Sequence, residues 1–447
     1  MIRTLKAFIY ENVVARRRVR ESAPLEKIAA SFTSADVPVA LDAILSHAVA
    51  KVPYYRRIAE GKNLPAGSKL SLQDFPILTR TDLQSNFDAL KSDDSEMRNS
   101  RKDSTGGSTG QPVIFLQDSA HRAWVRASEE YLFRNWFGID RSRDPKIILW
   151  GSAVDLHKSK NWIMKKWMLA CSNTYLLNAF RMSPEILRGY VAAYNRIRPK
   201  LIKGYSVSVY TLCRFVRDYG LKLSPPPVAV YTAADMLSAE MREVIEGELG
   251  CRVTDIYGSR EVGLAAAQCP LGKYHILNFI CHLEILRPDG TPAAPGEEGR
   301  IVITTLRNYS MPLIRYEIGD FAVAGEKCTC GLESSSFDSI RGRMFDYFTM
   351  PDGNLIEGGY FTKPMFNRPW VEEFQVLQTK VDEIELHLKL RGKVPANERE
   401  EIMDQMQKIA GANIRIIWME VDEIPRSRHG KLFFCRSLVT KSSTSGS

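Results

Sequence analysis

Ser104-Thr105-Gly106-Gly107-Ser108-Thr109-Gly110-Gln111-Pro112 is the stretch that says most about the fold of this chain. Its glycines allow backbone N–H groups to approach an anion closely, and its hydroxyl groups add further donors. It follows a polar segment and precedes an apolar run at residues 113–116, as a loop entering a strand does. It lacks the Gly-Lys-Ser/Thr ending of a Walker A loop. Taken alone, the stretch favours an ordinary flexible surface loop, with an anion-binding loop as the alternative that three motifs further along the chain favour.

The composition is that of a soluble globular protein with room for two or three domains in 447 residues. The excess of 61 Lys and Arg over 52 Asp and Glu suits an acidic ligand such as a nucleotide. The basic residues are dispersed and no nucleic-acid-binding module is present, so we expect no nucleic-acid partner. Eight cysteines without a signal peptide or a membrane-spanning run predict a reducing cytoplasm.

The first 20 residues combine apolar side chains with a cluster of arginines at positions 16, 17, 18 and 20. Such a segment is suited to peripheral contact with an anionic membrane surface. The alternative is a helix that docks on its own domain and exposes a basic end.

The first three quarters of the chain alternate between strand-like and helix-like patterns, up to about residue 345. Residues 146–150, 228–231 and 253–257 read as buried strands. One helix is predicted to begin at Ser183-Pro184, and another to begin at Ser238 and to stop at Gly250. The alternation predicts α/β layers around a mostly parallel sheet.

The pattern changes after Gly290. Residues 300–305 and 313–324 read as antiparallel strands that cap the large domain. Beyond residue 346, a strand, a strand, a helix and a strand follow one another and predict a small separate domain. We therefore predict a large N-terminal domain at 1–344, a small C-terminal domain at 345–440 and a disordered tail at 441–447.

Four short motifs occur in a fixed order along the chain. They are the Ser/Thr/Gly loop, Tyr257-Gly258-Ser259-Arg260-Glu261, Arg315-Tyr316-Glu317-Ile318-Gly319-Asp320 and Pro425-Arg426-Ser427-Arg428-His429-Gly430-Lys431. Together they resemble the adenylate-forming superfamily, in its phenylacetate-CoA ligase, CapK-like and coenzyme F390 synthetase-like branch. The resemblance implies an α/β fold: a large N-terminal adenylate-forming domain with mixed sheets and helices, and a small mobile α+β C-terminal domain.

The resemblance also implies a role for each motif. The loop would hold the β- and γ-phosphates of ATP, Tyr257 would stack on adenine, and Asp320 would accept the ribose hydroxyls with help from Arg343. Glu261 would bind Mg²⁺ and Lys431 would neutralise charge at the α-phosphate, so these two residues are the predicted catalytic residues. The full set predicted to bind nucleotide is Ser104, Thr105, Gly106, Gly107, Ser108, Thr109, Gly110, Ala233, Asp235, Tyr257, Gly258, Ser259, Arg260, Asp320 and Arg343.

Three positions depart from the usual pattern of the superfamily. Arg260 stands where Thr is usual, and Ala233-Ala234-Asp235 stands where Gly-Ala-Glu-Pro is usual. Phe345 stands where the hinge commonly has Asp. The predicted pocket for the acid contains Trp150, Gly151 and Tyr205.

The implied activity is that of an AMP-forming ligase. With ATP and Mg²⁺ it would convert a small carboxylic acid to an acyl-adenylate and pass the acyl group to CoA or to another thiol, amine or hydroxyl. One alternative is adenylyl transfer without a thioester, as in F390 synthetase-like relatives. Another is a non-catalytic nucleotide-binding or zinc-stabilised scaffold. The CapK resemblance suggests polysaccharide biosynthesis, and the oligomeric state is left open, with a homodimer among the alternatives.

A separate prediction concerns a metal. Cys269, His275, Cys328 and Cys330 form a Cys3His set, which is a normal structural zinc set. The two halves are 53 residues apart in sequence (328 − 275), so only the fold can bring them together. Cys281 and His282 are alternative ligands, and ordinary buried cysteines are the competing interpretation. Cys171, Cys213, Cys251 and Cys435 read as packing residues.

Overall fold

The computed structural model describes residues 6, 11–12, 16–62, 70–104, 113–150, 169–179, 182–341, 347–352, 355–365, 368, 370–425 and 435–439. The predictions for residues 105–110, Gly151, Arg343, the 345–346 hinge, Lys431 and the 441–447 tail lie outside these ranges. The chain divides into two compact units, one within residues 1–342 and one made mainly of residues 343–447. None of the described helices is both long and apolar enough to cross a membrane.

Ten α-helices are found in the described ranges, together with short 3₁₀ helices at Leu72–Asp74 and Lys363–Met365 and a π-helical turn at Leu132–Trp136. The α-helices are α1 Arg16–Ser31, α2 Asp36–Lys51, α3 Pro53–Gly61, α4 Arg80–Ser85, α5 Ser119–Tyr131, α6 Pro184–Ile197, α7 Ser206–Asp218, α8 Ala239–Leu249, α9 Gly359–Thr362 and α10 Glu398–Ala410.

The described ranges contain nineteen strands. They are β1 Arg101–Ser104, β2 Ile114–Gln117, β3 Lys146–Leu149, β4 Thr174–Leu177, β5 Leu201–Gly204, β6 Ala229–Ala233, β7 Val253–Ser259, β8 Gly263–Gln268, β9 Tyr274–Ile276, β10 Cys281–Leu286, β11 Glu298–Thr305, β12 Tyr316–Ala324, β13 Ser336–Arg341, β14 Tyr347–Thr349, β15 Leu355–Glu357, β16 Val371–Lys380, β17 Glu383–Leu390, β18 Arg415–Glu420 and β19 Cys435–Ser437.

The helix ends follow local sequence chemistry. The Ser238 hydroxyl accepts a hydrogen bond from the Met241 N–H at 3.1 Å and caps α8. Gly250 ends the same helix in the left-handed conformation, at φ +64°. Pro184 is the first residue of α6. The predicted start of α6 and the predicted start and end of α8 are confirmed.

The larger unit is built on one eleven-stranded sheet, in the order β10-β11-β12-β13-β9-β8-β7-β6-β5-β3-β4. Strands β3 to β7 pair in parallel, and we call them the parallel half. Strands β8 to β13 pair antiparallel, and we call them the antiparallel half. The α/β fold class with a mixed sheet is confirmed.

Two finer expectations are wrong. The sheet is not mostly parallel, and the strands after Gly290 continue the main sheet instead of forming a separate cap. Helix and strand also cease to alternate at β7, because seven consecutive strands occupy residues 253–341. Antiparallel neighbours are joined by short turns and need no crossover helix, so a strand-rich stretch can extend the same sheet.

A two-stranded hairpin carries the Ser/Thr/Gly loop. β1 and β2 pair antiparallel, with Ser104 opposite Ile114. The sequence predicted that the loop is followed by a strand, and that strand is β2. The strand before the loop, β1, was not predicted. Asp118, directly after β2, is buried and accepts hydrogen bonds from the backbone N–H groups of His121, Tyr309 and Ser310. The C-terminal end of the hairpin is thereby fastened to the body of the larger unit.

The smaller unit contains a four-stranded sheet in the order β18-β17-β16-β19. Its β16-β17-α10-β18 sequence is the predicted strand, strand, helix, strand pattern. Along β17 the side chains of Ile384, Leu386 and Leu388 are all buried, which follows the predicted alternation. The pairing of β19 in parallel with β16 was not predicted, because three residues carry too little pattern.

Candidate functional site

The carboxyl ends of four neighbouring parallel strands bring predicted site residues together. Trp150 directly follows β3, Tyr205 directly follows β5, Ala233 ends β6, and Tyr257 lies near the end of β7. These strands are adjacent in the order β7-β6-β5-β3. In open α/β sheets, ligands bind outside the carboxyl ends of the strands. This edge is therefore the candidate active site.

Two of the predicted nucleotide-binding residues are in direct contact. The Tyr257 hydroxyl donates a hydrogen bond to the Asp320 carboxylate at 3.0 Å, although 63 residues separate the two in sequence. Tyr257 is on β7 and Asp320 is on β12, in the antiparallel half of the sheet. A phenol and a carboxylate at this distance orient one another.

The end of β7 carries Gly258 and Ser259, and Glu261 lies in the turn that follows between β7 and β8. A side chain at Gly258 would place its Cβ 2.3 Å from the Gly263 carbonyl oxygen, so only glycine fits without a backbone shift. The Ser259 hydroxyl accepts from the Val262 N–H at 3.3 Å. Glu261 is only 5% exposed. The turn is closely packed and holds its carboxylate against the protein.

Arg260 connects this turn to the β1–β2 hairpin, whose loop is predicted to bind phosphate. Its guanidinium donates to the Ser104 carbonyl at 3.1 Å and lies 3.9 Å from the Asp103 carboxylate. Its own carbonyl accepts from the Gln117 side chain at 2.7 Å. The residue that departs from the superfamily pattern thus contacts both strands of the hairpin, which the sequence did not predict.

Asp235 has a structural partner. Its carboxylate accepts hydrogen bonds from the backbone N–H groups of Ser206 at 2.6 Å and Val207 at 3.1 Å. These groups are the first N–H donors of α7, and a carboxylate stabilises them through hydrogen bonding and through the helix dipole. Asp235 therefore caps a helix that begins at the candidate edge, whereas its contact with a nucleotide stays a prediction.

The predicted acid pocket has an aromatic wall. The rings of Trp150 and Tyr205 stack with centroids 4.1 Å apart and an interplanar angle of 18°. The Lys203 ammonium lies 5.9 Å from the Trp150 ring centroid and 4.8 Å from that of Tyr231. The wall therefore combines apolar ring faces with a fixed cation.

Lys203 is held in place by a carboxylate. Its ammonium contacts Glu129 at 2.6 Å, and Arg141 contacts the other oxygen of Glu129 at 2.9 Å. Burial opposes the charge of Glu129, but the two cations outweigh it and lower the pKa of this carboxyl to about 2. Burial likewise opposes the charge of Lys203, yet the Glu129 carboxylate keeps the pKa of Lys203 above its ordinary value.

A buried polar network that sequence reasoning missed lies on β7. Asp255 accepts a hydrogen bond from the Thr232 hydroxyl at 2.8 Å and one from the Tyr274 hydroxyl at 2.6 Å. Burial raises the pKa of Asp255 to about 6, although both hydrogen bonds oppose the shift. An acidic residue inside a strand that is predicted to be buried was the available signal, because buried carboxylates need partners.

The four predicted metal ligands converge in the antiparallel half of the sheet. The donor atoms of Cys269, His275, Cys328 and Cys330 all lie within 4.8 Å of one another. The sulfurs of Cys269 and Cys328 are 3.7 Å apart, and the Cys330 sulfur is 3.2 Å from His275 Nε2. Tetrahedral zinc with Zn–S bonds of about 2.3 Å places its sulfurs about 3.8 Å apart. The donor set and its spacing fit such an ion.

The surroundings of this cluster also suit a structural metal. The second ring nitrogen of His275, Nδ1, lies 3.1 Å from the Ser334 hydroxyl, which orients the ring. His275 is fully buried. The alternative ligands Cys281 and His282 are not part of the cluster, and the Cys281 thiol donates instead to the Ala265 carbonyl. Cys171, Cys213 and Cys435 are buried and Cys251 is partly exposed.

Comparisons with known proteins agree with this fold. Residues 348–437 match the family model of the CapK C-terminal domain. Protein CapK of Staphylococcus aureus is 23% identical over 391 residues, covering 85% of this chain and 84% of the relative. A phenylacetate-coenzyme A ligase of Thermus thermophilus is 22% identical over 438 residues, covering 88% and 93%.

A phenylacetate-coenzyme A ligase of Escherichia coli is 40% identical over 98 residues, which is 21% of this chain and 22% of the relative. Among solved structures, 2-hydroxyisobutyryl-CoA ligase in complex with 2-HIB-AMP and CoA has a TM-score of 0.60 at 19% identity. The alignment covers 90% of this chain and 88% of that one. The resemblance inferred from the motifs is therefore confirmed: the chain has the fold of the adenylate-forming acyl-CoA ligases and is similar to CapK and to phenylacetate-CoA ligase.

Proposed function

We propose that this protein is an AMP-forming ligase that activates a carboxylic acid with ATP and transfers the acyl group to CoA or another acceptor. The observation that carries the proposal is the hydrogen bond between Tyr257 and Asp320, 3.0 Å long, at the carboxyl edge of the parallel half. It joins two separate motifs at the position where an α/β sheet binds its ligand. Neither packing nor helix capping requires that pair.

The proposal gives each described residue of the edge a task. Asp320 orients the Tyr257 ring, which stacks on adenine, and the same carboxylate accepts from the ribose hydroxyls. Glu261 supplies carboxylate oxygens for Mg²⁺, which neutralises phosphate charge when bound. Arg260 keeps the phosphate-binding hairpin next to the Glu261 turn.

Residues outside the described ranges complete the proposal. The loop at 105–110 would cradle the β- and γ-phosphates, and Arg343 would assist at the ribose. Lys431 would stabilise the negative charge that develops between carboxylate and α-phosphate. We further propose that residues 345–440 form the lid that carries Lys431 and that the chain rotates near 345–346 before acyl transfer.

CoA is the proposed acceptor because the matched ligase structure is described with an acyl-adenylate and CoA bound. The two phenylacetate-coenzyme A ligases support the same acceptor. The name of the CapK relative states no reaction, so adenylyl transfer without thioester formation is the competing function. Product analysis with and without CoA distinguishes the two.

The decisive experiment is ATP–pyrophosphate exchange across a panel of aryl, fatty and hydroxy acids. Lys431→Ala should lower exchange about 100- to 1000-fold while ATP still binds, because a removed charge-stabilising donor costs that much. Lys408→Ala is the matched control, since Lys408 is an exposed lysine of α10 paired with Asp404. Acid-independent exchange, or equal exchange in the two variants, would contradict the proposal.

We also propose that the Cys/His cluster holds one structural zinc ion. The convergence of four donors that are distant in sequence supports this, since packing alone does not require three thiols and an imidazole to meet. Elemental analysis of protein purified without added metal should find about one zinc per chain. A metal content near zero would contradict the zinc site and favour the interpretation that these cysteines only pack in the protein interior.

A further inference from the structure

The strand that carries His275 is the shortest in the large sheet. β9 has three residues and lies between β8 and β13, pairing at three positions with β8 and at two with β13. So few ladder hydrogen bonds hold a strand weakly. The neighbouring side chains of Tyr274 and His275 supply the additional anchors.

The two side chains point to different partners. His275 belongs to the Cys/His cluster, whereas Tyr274 donates to Asp255 on β7 at 2.6 Å. β8 lies between β9 and β7 in the sheet, so the Tyr274 hydroxyl reaches across one strand. The Tyr274 ring also stacks on Phe337 of β13, with centroids 5.2 Å apart and planes 4° apart. The ring is therefore held on one side by the strand that follows Cys330.

Asp255 stands two positions before Tyr257 on the same strand. In a strand, residues two apart lie on the same face. Asp255 is 6% exposed and also accepts from Thr232 on β6, so it joins strands on both sides of β7. A displacement of β9 would remove one of its two donors and leave a buried carboxylate only partly satisfied.

We propose that Asp255 and Tyr274 are positioning residues that couple metal occupancy of the Cys/His cluster to the nucleotide edge of the sheet. A metal at the cluster fixes His275 and with it β9. The Tyr274 hydroxyl then holds Asp255, and Asp255 holds the end of β7 that presents Tyr257. The coupling rests on the proposed nucleotide and zinc sites, and it assigns the cluster a regulatory role in addition to stability.

The test compares metal-loaded and chelator-treated protein, with metal content measured in each. The first readout is hydrogen exchange of peptides spanning residues 253–259, which needs neither ATP nor turnover. In the wild type, metal removal should raise exchange in β7 about tenfold and weaken ATP binding by a similar factor, within the usual range of coupling between sites.

Tyr274→Phe removes only the hydroxyl, so exchange in β7 should already be raised and should respond little to metal removal. Thr232→Val is the matched control, because it removes the other donor to Asp255 and leaves the path to β9 intact. Its response to metal removal should match that of the wild type. If Tyr274→Phe does not fold, Asp255→Asn replaces it, with the same expected loss of response.

Equal metal responses in the wild type and Tyr274→Phe would overturn the coupling, as would a cluster that binds no metal. Metal-dependent exchange in β7 without any ATP binding would contradict the proposed function and keep the coupling. Normal adenylation together with hydrogen exchange in β7 that does not depend on metal would contradict the coupling and keep the proposed function. The two proposals therefore fail in distinguishable ways.

Discussion

The parallel and antiparallel halves of the large sheet carry two different kinds of candidate site. In the parallel half, Trp150, Tyr205, Ala233 and Tyr257 stand at or near the carboxyl ends of four neighbouring strands, so the candidate site follows from strand direction alone. In the antiparallel half, the Cys/His cluster depends on two segments 53 residues apart meeting beside β9 and β13. The first arrangement follows from the general rule that ligands bind at the carboxyl ends of parallel strands. The second depends on how this particular fold brings two distant segments together.

This difference predicts different consequences of mutation. Substitutions at the edge of the parallel half should change turnover and nucleotide affinity more than stability. Substitutions in the cluster should change stability first. Four experiments test that contrast.

The largest effect is expected at the cluster. Cys328→Ser should lower zinc content and lower the free energy of unfolding of the larger unit by an amount on the order of 5 kcal/mol, because metal binding contributes directly to folding. Cys281→Ala is the control, since that buried thiol lies outside the cluster. Thermal unfolding and elemental analysis measure both effects. If zinc is retained in Cys328→Ser and lost in Cys281→Ala, the result would contradict the proposed ligand set and favour the alternative ligands Cys281 and His282.

The next effect concerns pH. Burial raises the pKa of Asp255 from 3.8 to about 6, so the folded state binds the proton more tightly than the unfolded chain. The free energy of unfolding should therefore fall by about 3 kcal/mol as the pH rises from about 4 to about 6. Asp255→Asn should flatten that slope in chemical denaturation, whereas Thr232→Val should keep it. If the free energy of unfolding of Asp255→Asn still falls over this pH range, the pH dependence arises from another titratable group.

A glycine at the edge gives the clearest catalytic test. Gly258→Ala would bring a Cβ within 2.3 Å of the Gly263 carbonyl, so the turn that carries Glu261 must shift. A misplaced catalytic group costs about 100-fold in rate, which pyrophosphate exchange would measure. Gly247→Ala in α8 meets nothing within 4 Å and should leave exchange unchanged. Full activity in Gly258→Ala would remove this turn from the site.

The smallest effect is expected for a single hydrogen bond. Tyr257→Phe removes the donor to Asp320 and should weaken ATP binding about fivefold, equivalent to about 1 kcal/mol. Tyr190→Phe removes a comparable bond to the Asn178 carbonyl at 2.8 Å in another part of the unit. Equilibrium titration with ATP compares the two variants. An identical ATP affinity in both would show that the Tyr257–Asp320 pair does not serve the nucleotide.

Helix ends and the buried face of a strand could be predicted from the sequence, because they depend on residues that are close together in the chain. Ser238 and Gly250 fix the ends of α8, and the alternation of Ile384, Leu386 and Leu388 fixes the buried face of β17. The same holds for the motif residues, whose glycines and hydroxyls are the groups that an anion-binding loop needs. The motifs also predicted the resemblance to adenylate-forming ligases, and the fold agrees with it.

The tertiary structure decided which of these residues meet. Tyr257 contacts Asp320, Arg260 contacts Ser104, and Asp255 contacts Tyr274, each across a long sequence separation. Such pairings depend on strand order and register, which no local pattern encodes. From the sequence came the resemblance to adenylate-forming ligases and the types of side chain available for chemistry. The continuation of the sheet by the antiparallel strands and the convergence of the predicted metal ligands are visible only in the folded sheet, because pairing between distant strands is a property of the whole chain.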